Sequence, residues 1–376
     1  MVSSGALTIA VAMSGGVDSS LCAALLQRAG HRVLGFTLRL GGAEHGWEAT
    51  RACCGLAEVH DARRVADTLG IPHYVLNHAA EFERAVIADF VAEYAAGRTP
   101  NPCLRCNQHI KFAAFLAHAQ ALGCSHVATG HYARVDRAAG GRWRLRRGAD
   151  PSKDQSYVLH TLTQEQLAAT LFPLGALTKG EVRARAAEFG LPTAAKPESQ
   201  ELCFVSGDYA EFVGARRPDA LRPGPIVDPA GRVLGTHRGL ARYTVGQRKG
   251  LGVYAPEPWV VVELRAADNT VVVARPADAG RTTFLVAPLH AGALALSAEA
   301  AFDANAAFDA SDAFDALVQT RYRMTPVAGR LTLLATDRAR CVLAAPTPGI
   351  APGQAAVCYD EAGYVLAGGT IATVEG

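Results

Sequence analysis

Val11-Ala12-Met13-Ser14-Gly15-Gly16-Val17-Asp18-Ser19-Ser20 decides how this chain is read. The apolar run from Leu7 to Met13 reads as a buried parallel strand. It stops at Ser14-Gly15-Gly16, and an apolar-periodic helix begins near Asp18. A strand that ends in a glycine-rich turn and opens a helix is a phosphate cradle. Glycines let backbone N–H groups face an anion, and the helix N-terminus adds its positive dipole end. A Walker loop would carry Gly-Lys-Ser/Thr at this turn, and no lysine is present. The plainer reading is a tight strand-to-helix turn with Asp18 or Ser19 as N-cap.

Working outward, Ser19 to Ala29 has helical periodicity and Gly30 as a stop. Arg32 to Leu40 reads as a strand, and residues 41–55, with Trp47, Cys53 and Cys54, as a Gly-rich loop. Leu56 to Leu69 is a helix, His73 to Leu76 a short strand, and Glu81 to Ala96 another helix. This alternation predicts an α/β fold with a doubly wound parallel sheet, whose ligands bind beyond the carboxyl ends of the strands. The two prolines of Gly97 to Asn107 argue against helix there, so it reads as an ordered loop feeding a helix from Ile110 to Leu122. Ser125 to Thr129 is a strand ending in Gly130-His131-Tyr132, on the same ligand face. Ala133 to Asp136 and Arg142 to Arg146 pair as a hairpin, and Pro151 to Tyr157 is a polar turn into an apolar strand. Glu165 to Leu171 and Lys179 to Phe189 read as helices, and Lys196 to Phe204 as a polar loop carrying Cys203.

From about residue 209 helical periodicity fades, and short alternating strands with glycines and prolines take over. The division expected is a catalytic domain over 1–208, a small central domain over 209–281 and a C-terminal β-barrel over 282–376. Ala-Phe-Asp-Ala recurs at 301–304, 307–310 and 313–316. A step of six residues turns a helix by about 240°, so Phe302, Phe308 and Phe314 would share no helical face. The acidic stretch near 299–316 is therefore expected to be a low-complexity loop between barrel strands.

Composition sets the outer bounds. A chain of 376 residues, 49% apolar and 19% charged, can build two or three cores. No apolar run reaches about 18 residues and no leader pattern opens the chain, so the cytoplasm is expected and a membrane is not. Nine cysteines are an odd number for a disulfide framework. Net charge is +2, so charge as a whole does not announce nucleic acid. Its distribution says more: Arg134, Arg137, Arg142, Arg144, Arg146, Arg147 and Lys153 crowd one stretch, Arg238, Arg242, Arg248 and Lys249 another, and Arg321 and Arg323 lie close together, patches of a kind that can grip a phosphate backbone. Any one such patch is more commonly a solvated surface.

Ser-Gly-Gly-Xaa-Asp-Ser resembles the PP-loop of ATP pyrophosphatases, which split ATP between its α and β phosphates. Met13 to Ser20, Gly97 to Asn107, Ala128 to Tyr132, Lys153 to Tyr157, Ser199 to Phe204, Thr244 to Gly252, Arg321-Tyr322-Arg323 and Pro352-Gly353-Gln354 together resemble the tRNA-specific 2-thiouridylases. They follow the family order over nearly the whole chain. The resemblance implies a tRNA sulfurtransferase that uses ATP, with magnesium, to thiolate the wobble uridine, fed by a cysteine desulfurase or a sulfur carrier. It implies that Ala12, Met13, Ser14, Gly15, Gly16, Val17, Asp18 and Ser19 surround the ATP phosphates, and that Leu38 and Gly130 border the adenosine. Cys106 aligns with the nucleophile and Cys203 with the persulfide carrier. Asn101, Pro102, Cys103, His131, Lys153, Asp154, Gln155, Arg321, Tyr322 and Gln354 match tRNA-contacting positions.

One departure stands out. Many relatives carry Asp where this chain has Cys103, and a thiol does not shuttle protons at a carboxylate's pKa. Cys103 can fill the space while Asn101 and backbone contact the base, can resolve a disulfide with Cys106, or can join Cys106 and Cys203 around an iron–sulfur cluster. The first reading is preferred, and no metal site is assigned. The rival functions are another PP-loop ligase, which needs no paired thiols, and an iron–sulfur-dependent tRNA thiolase. A non-catalytic tRNA-binding protein with a vestigial nucleotide site is the reading from outside enzymology.

Overall fold

The computed structural model describes residues 5–41, 56–197, 202–205, 207–290 and 313–375. Two compact units divide them: residues 1–86 with 103–206, and residues 87–102 with 207–376. The expected loops at 41–55 and 299–316 fall almost wholly outside the described residues, as do Cys53, Cys54, Phe302 and Phe308.

The first unit is built on a five-stranded, all-parallel sheet. Its elements run β1 (Thr8–Ala12), α1 (Val17–Arg28), β2 (Arg32–Arg39), α2 (Leu56–Leu69) and β3 (His73–Asn77). Then follow α3 (Ala79–Phe82), a π-helical turn (Glu83–Ile87) and α4 (Ala88–Ala95), of which α4 belongs to the second unit. Next come α5 (Pro102–Arg105), a π-helical stretch (Cys106–Ala114), α6 (Phe115–Ala121) and β4 (His126–Ala128). β5 (Ala133–Arg137), β6 (Trp143–Arg147), α7 (Gln164–Ala168), β7 (Thr170–Leu171) and α8 (Lys179–Glu188) complete it. Strand order is β3-β2-β1-β4-β7, so the strand feeding the glycine loop is central. Ile9, Ala10 and Val11 are fully buried, as a strand covered on both faces requires. Val17, Leu21 and Leu26 of α1 join Ile9, Val11 and Val182 in one core, which fixes α1 against the sheet and α8.

Three expectations in this unit are corrected. The segment before Cys106 is helical from Pro102 onward. Proline at a first helical position lacks only an N–H that has no intrahelical partner anyway, so it starts a helix instead of forbidding one. Ser156–Val158 is a short 3₁₀ turn, not a strand. The helix expected to end at Leu171 stops at Ala168, and Thr170–Leu171 pairs with β4 as the sheet's edge. The basic hairpin forms as read, with Arg134 opposite Arg146.

The second unit contains α9 (Tyr209–Arg216), then β8 (Gly224–Val227), β9 (Val233–His237), β10 (Val260–Arg265) and β11 (Thr270–Ala274) in one sheet ordered β10-β11-β8-β9. Ile226, Val261, Val271 and Trp259 form its core. β12 (Gly280–His290), β13 (Ala313–Gln319), β14 (Val327–Ala335), β15 (Arg338–Pro348), β16 (Ala355–Tyr359) and β17 (Val365–Glu375) close into a barrel. The last Ala-Phe-Asp-Ala copy, 313–316, lies in β13 and not in a loop. Strand alternation puts Phe314 against the barrel core and leaves Asp315 exposed, so this copy serves the barrel's two-residue period.

Candidate active site

β1 hands the chain to a turn that is tied down before α1 begins. Met13 N donates to Phe36 O at 2.7 Å, and Thr37 Oγ1 donates to Met13 O at 2.8 Å. His73 Nε2 lies 2.9 Å from the same Thr37 hydroxyl. Gly15 has φ +67, and a Cβ there would stand 2.4 Å from Glu58 O, so only glycine lets the turn lie on the start of α2. Gly16 is the N-cap of α1 in extended conformation and supplies no side-chain cap. The hydroxyls of Ser19 and Ser20 turn back onto Gly16 O at 3.1 and 2.8 Å. Neither Asp18 nor Ser19 caps the helix, and its positive end is left to an anion.

Asp18 is engaged elsewhere. Lys179 Nζ reaches its two carboxylate oxygens at 2.7 and 2.8 Å, and Tyr132 Oη donates to it at 2.7 Å. A second pair flanks the loop, Lys196 Nζ to Asp61 Oδ2 at 2.6 Å. Sequence reading missed Lys179, Lys196 and Tyr132 as partners of this loop. The visible signal at Lys179, the Thr178/Glu181 capping box, announces a helix start and says nothing of Asp18.

The strand-end Gly130 sits against the loop itself. A Cβ on it would stand 2.8 Å from Asp18 C and from Ser19 N. Leu38 is buried in β2 opposite Leu76. His131 is buried beside Phe112 and Phe172, with ring centroids at 5.9 and 6.0 Å, and its Nδ1 lies 2.7 Å from Thr129 Oγ1. Burial, then the Lys111 cation, holds its pKa well below the usual histidine value, so it is neutral. Gln155 exchanges two bonds with Tyr132: its N donates to Tyr132 O at 2.9 Å, and its Oε1 accepts from Tyr132 N at 3.0 Å. Asp154 accepts from Gly148 N, Ser156 N and Ser156 Oγ at 3.0, 3.1 and 2.9 Å. The Lys153-Asp154-Gln155-Ser156 run thus braces Tyr132, and through it Asp18.

Cys106 is buried and Cys103 exposed, although three residues along a helix keep two side chains on neighbouring positions of one face. Asn107 is 1% exposed and donates Nδ2 to Val158 O at 3.0 Å. Cys203 is half-buried, and its neighbour Phe204 packs edge-on against Phe82 of α3, centroids 5.7 Å apart. α3 also packs on the Cys106–Ala114 stretch, so the Cys203 segment and the Cys106 helix share a neighbour. Among the described residues no three His, Cys, Asp or Glu side chains group as metal ligands, and Cys103, Cys106 and Cys203 form no such set.

In the second unit, Arg321 Nη2 donates to Val245 O at 3.3 Å and to Gly349 O at 3.2 Å. Tyr322 lies in the turn after β13, half-buried, with the Arg323 guanidinium 5.4 Å from its ring centre. Arg242 of the second basic cluster is paired with Asp208 at 2.7 Å and with Glu211. Asn101, half-buried, and Pro102, buried, end the loop that belongs to this unit.

A bare glycine loop on the central strand of a parallel sheet, braced by lysine–aspartate pairs and opening a helix with no side-chain cap, defines an α/β domain of the phosphate-loop class. Family models match all three regions: a tRNA methyl transferase HUP domain over 7–207, a tRNA methyl transferase PRC-barrel domain over 210–275 and an aminomethyltransferase beta-barrel domain over 301–371. The chain is 49% identical to the tRNA-specific 2-thiouridylase MnmA of Geotalea uraniireducens, over 96% of this chain and 94% of that protein. It is 47% identical to the protein of that name from Geobacter metallireducens, covering 96% of each, and 48% identical to that of Moorella thermoacetica, covering 97% and 99%. The chain belongs to the tRNA-specific 2-thiouridylase family.

Proposed function

We propose that this protein is an ATP-dependent tRNA-uridine 2-sulfurtransferase acting on the wobble position. The observation that carries the reading is the uncapped glycine loop, shaped for pyrophosphate, in a chain that matches 2-thiouridylases end to end. The uracil 2-carbonyl oxygen attacks the α-phosphorus of ATP, and pyrophosphate leaves. The α1 N-terminus suits the charge of that leaving group, while Lys179, bound to both carboxylate oxygens of Asp18, offsets the negative charge of that side chain beside it. Magnesium belongs with the nucleotide: Asp18 already holds Lys179 and Tyr132, so the loop offers no protein cage for it.

The terminal sulfur of a Cys203 persulfide then attacks C2, and AMP leaves with the bonding pair. The Cys106 thiolate attacks Cys203 Sγ; the S–S pair passes to the sulfur now on C2, giving the thiocarbonyl and a Cys106–Cys203 disulfide. A thiol reductant must reduce that disulfide before the next turnover. A cysteine desulfurase or sulfur carrier reloads Cys203. The domain descriptions speak of methyl transfer, but the full-length relatives speak of 2-thiolation, and a cysteine pair is what sulfur transfer needs. We divide the labour as nucleotide and sulfur chemistry over 1–208 and tRNA binding over 209–281 and 282–376. Asn101, Pro102 and Cys103 are assigned to the target base, with Cys103 filling the space of the usual Asp. No described helix is long and apolar enough to cross a membrane, and we place the protein in the cytoplasm with its tRNA.

The test is sulfur incorporation into unmodified tRNA with ATP, cysteine and a cysteine desulfurase. Cys106→Ser and Cys203→Ser should each lose at least about a hundredfold in 2-thiouridine while still releasing pyrophosphate with tRNA. A Cys203→Ser protein that keeps full product formation would point to another PP-loop ligase. No tRNA-dependent pyrophosphate release from the wild type would return the chain to a binding role.

A further inference from the structure

The loop at 97–102 contains Pro100 and Pro102, which bring no N–H groups to hold it in place. Gly97 N and Arg98 N donate back to Tyr94 O and Glu93 O of α4, and the backbone of Thr99 and Pro100 is gripped by the turn between β15 and β16, within the same unit. Thr99 N donates to Pro352 O at 2.8 Å. Gln354 Nε2 donates to Thr99 O at 3.0 Å and to Pro100 O at 3.1 Å. Gly353, at φ +89, makes the approach possible, since a Cβ there would stand 2.9 Å from both Thr99 N and Thr99 O. Arg98 is anchored separately, its Nε donating to Glu93 Oε2 at 2.8 Å.

The base of this clasp is itself hydrogen-bonded at both backbone groups. Gln354 N donates to Ala351 O at 3.1 Å, and Gln354 O accepts from Ile371 N at 2.8 Å. A carboxamide nitrogen has two protons, and both point at the loop. An RNA base could take them only by releasing Thr99 and Pro100.

We propose that Gln354 is a positioning residue: it sets the conformation of loop 97–102, and so of Asn101 and Pro102, rather than reading the tRNA itself. This rests on the sulfurtransferase reading above, because Asn101 and Pro102 are the residues assigned there to the target base. Fixing the loop beforehand removes an ordering cost from the bound complex, so its effect falls on the chemical step at saturating tRNA.

Gln354→Glu keeps the shape and turns a donor toward two carbonyls into an acceptor. Gln354→Ala removes the group. Three quantities are measured: the tRNA Kd, the single-turnover rate of sulfur incorporation at saturating tRNA, and hydrogen exchange of the Thr99 amide. Both variants should slow the saturating rate by about tenfold, the size of one or two lost neutral hydrogen bonds, with tRNA Kd within about twofold. Thr99 exchange should quicken, while barrel amides such as Val357 and Cys358 keep their protection and show the variant folded. A wild-type saturating rate in Gln354→Glu, or unchanged Thr99 exchange, overturns the proposal. If the wild type makes no thiolated tRNA, the functional reading fails instead, and Thr99 exchange still reports whether the clasp exists.

Discussion

The residues matched to ATP and those matched to tRNA are treated in opposite ways by the fold. At the phosphate loop, α1 opens on Gly16 with no side-chain cap, and the nearby hydroxyls turn back onto Gly16 O. Among the tRNA-matched residues, four have polar atoms already committed to backbone. Asp154 holds Gly148 and Ser156, Gln155 holds Tyr132, Arg321 holds Val245 and Gly349, and Gln354 holds Thr99 and Pro100. An anion site must leave donors for its ligand, because the ligand brings the acceptors. A site for a large, shaped RNA needs its loops in one conformation, and polar side chains can supply that from behind.

Within this comparison the largest effect should come from Gly130→Ala. Its new methyl would meet Asp18 C and Ser19 N at 2.8 Å, and neither is a flexible side-chain tip. The start of α1 must move. We expect the KM for ATP to rise about 10- to 100-fold and stability to fall by about 1–3 kcal/mol. ATP kinetics beside a thermal melt will check it. A normal ATP KM would mean the phosphate loop tolerates displacement and would erase one side of the contrast.

Lys153 and Asp154 sharpen the other side, since adjacent residues are assigned opposite duties. Asp154→Ala leaves the Gly148 and Ser156 N–H groups without their acceptor. It should lower stability by about 1–3 kcal/mol and leave the salt dependence of tRNA binding unchanged. Lys153→Ala should leave stability within about 0.5 kcal/mol and reduce the slope of log K against log salt by about one unit. Titrating tRNA at several salt concentrations separates the two. Equal salt slopes for Lys153→Ala and wild type would remove Lys153 from the RNA surface.

The parallel sheet, the hairpin and the glycine loop were legible because each rests on local signals: apolar runs, turn glycines and alternation. What escaped has a physical reason in each case. Pro102 reads as a helix breaker until its position is known, because the same ring breaks a helix interior and opens a first turn. Lys179 lies 161 residues from Asp18, and no spacing rule joins them. Phe314 shares no helical face with its repeats, yet on a strand it needs only a two-residue period to reach the barrel core. Family motifs mark Asp154 and Gln354 as important without telling whether they touch the ligand or hold what does.

His131 carries the smallest effect and isolates framework from contact within one motif. It is neutral when folded, because burial and then Lys111 hold its pKa well below the ordinary 6.5. The unfolded chain protonates this ring below about pH 6.5 and the folded chain does not. More protons on the unfolded state mean that stability rises with pH, so the contribution is intact above that pH. It is lost as pH falls from there toward the folded value, at about 1.4 kcal/mol per pH unit. His73, His78, His126 and His237 are also lowered by burial and share the sign, so the difference between proteins is the measurement. His131→Gln cannot titrate. Urea melts between about pH 5 and 8 should show its stability falling less steeply below about pH 6.5 than the wild type's, by about that slope. Its tRNA Kd should stay within about twofold if the ring belongs to the frame. Parallel stability curves with a weakened tRNA Kd would move His131 to the RNA-reading side of the comparison.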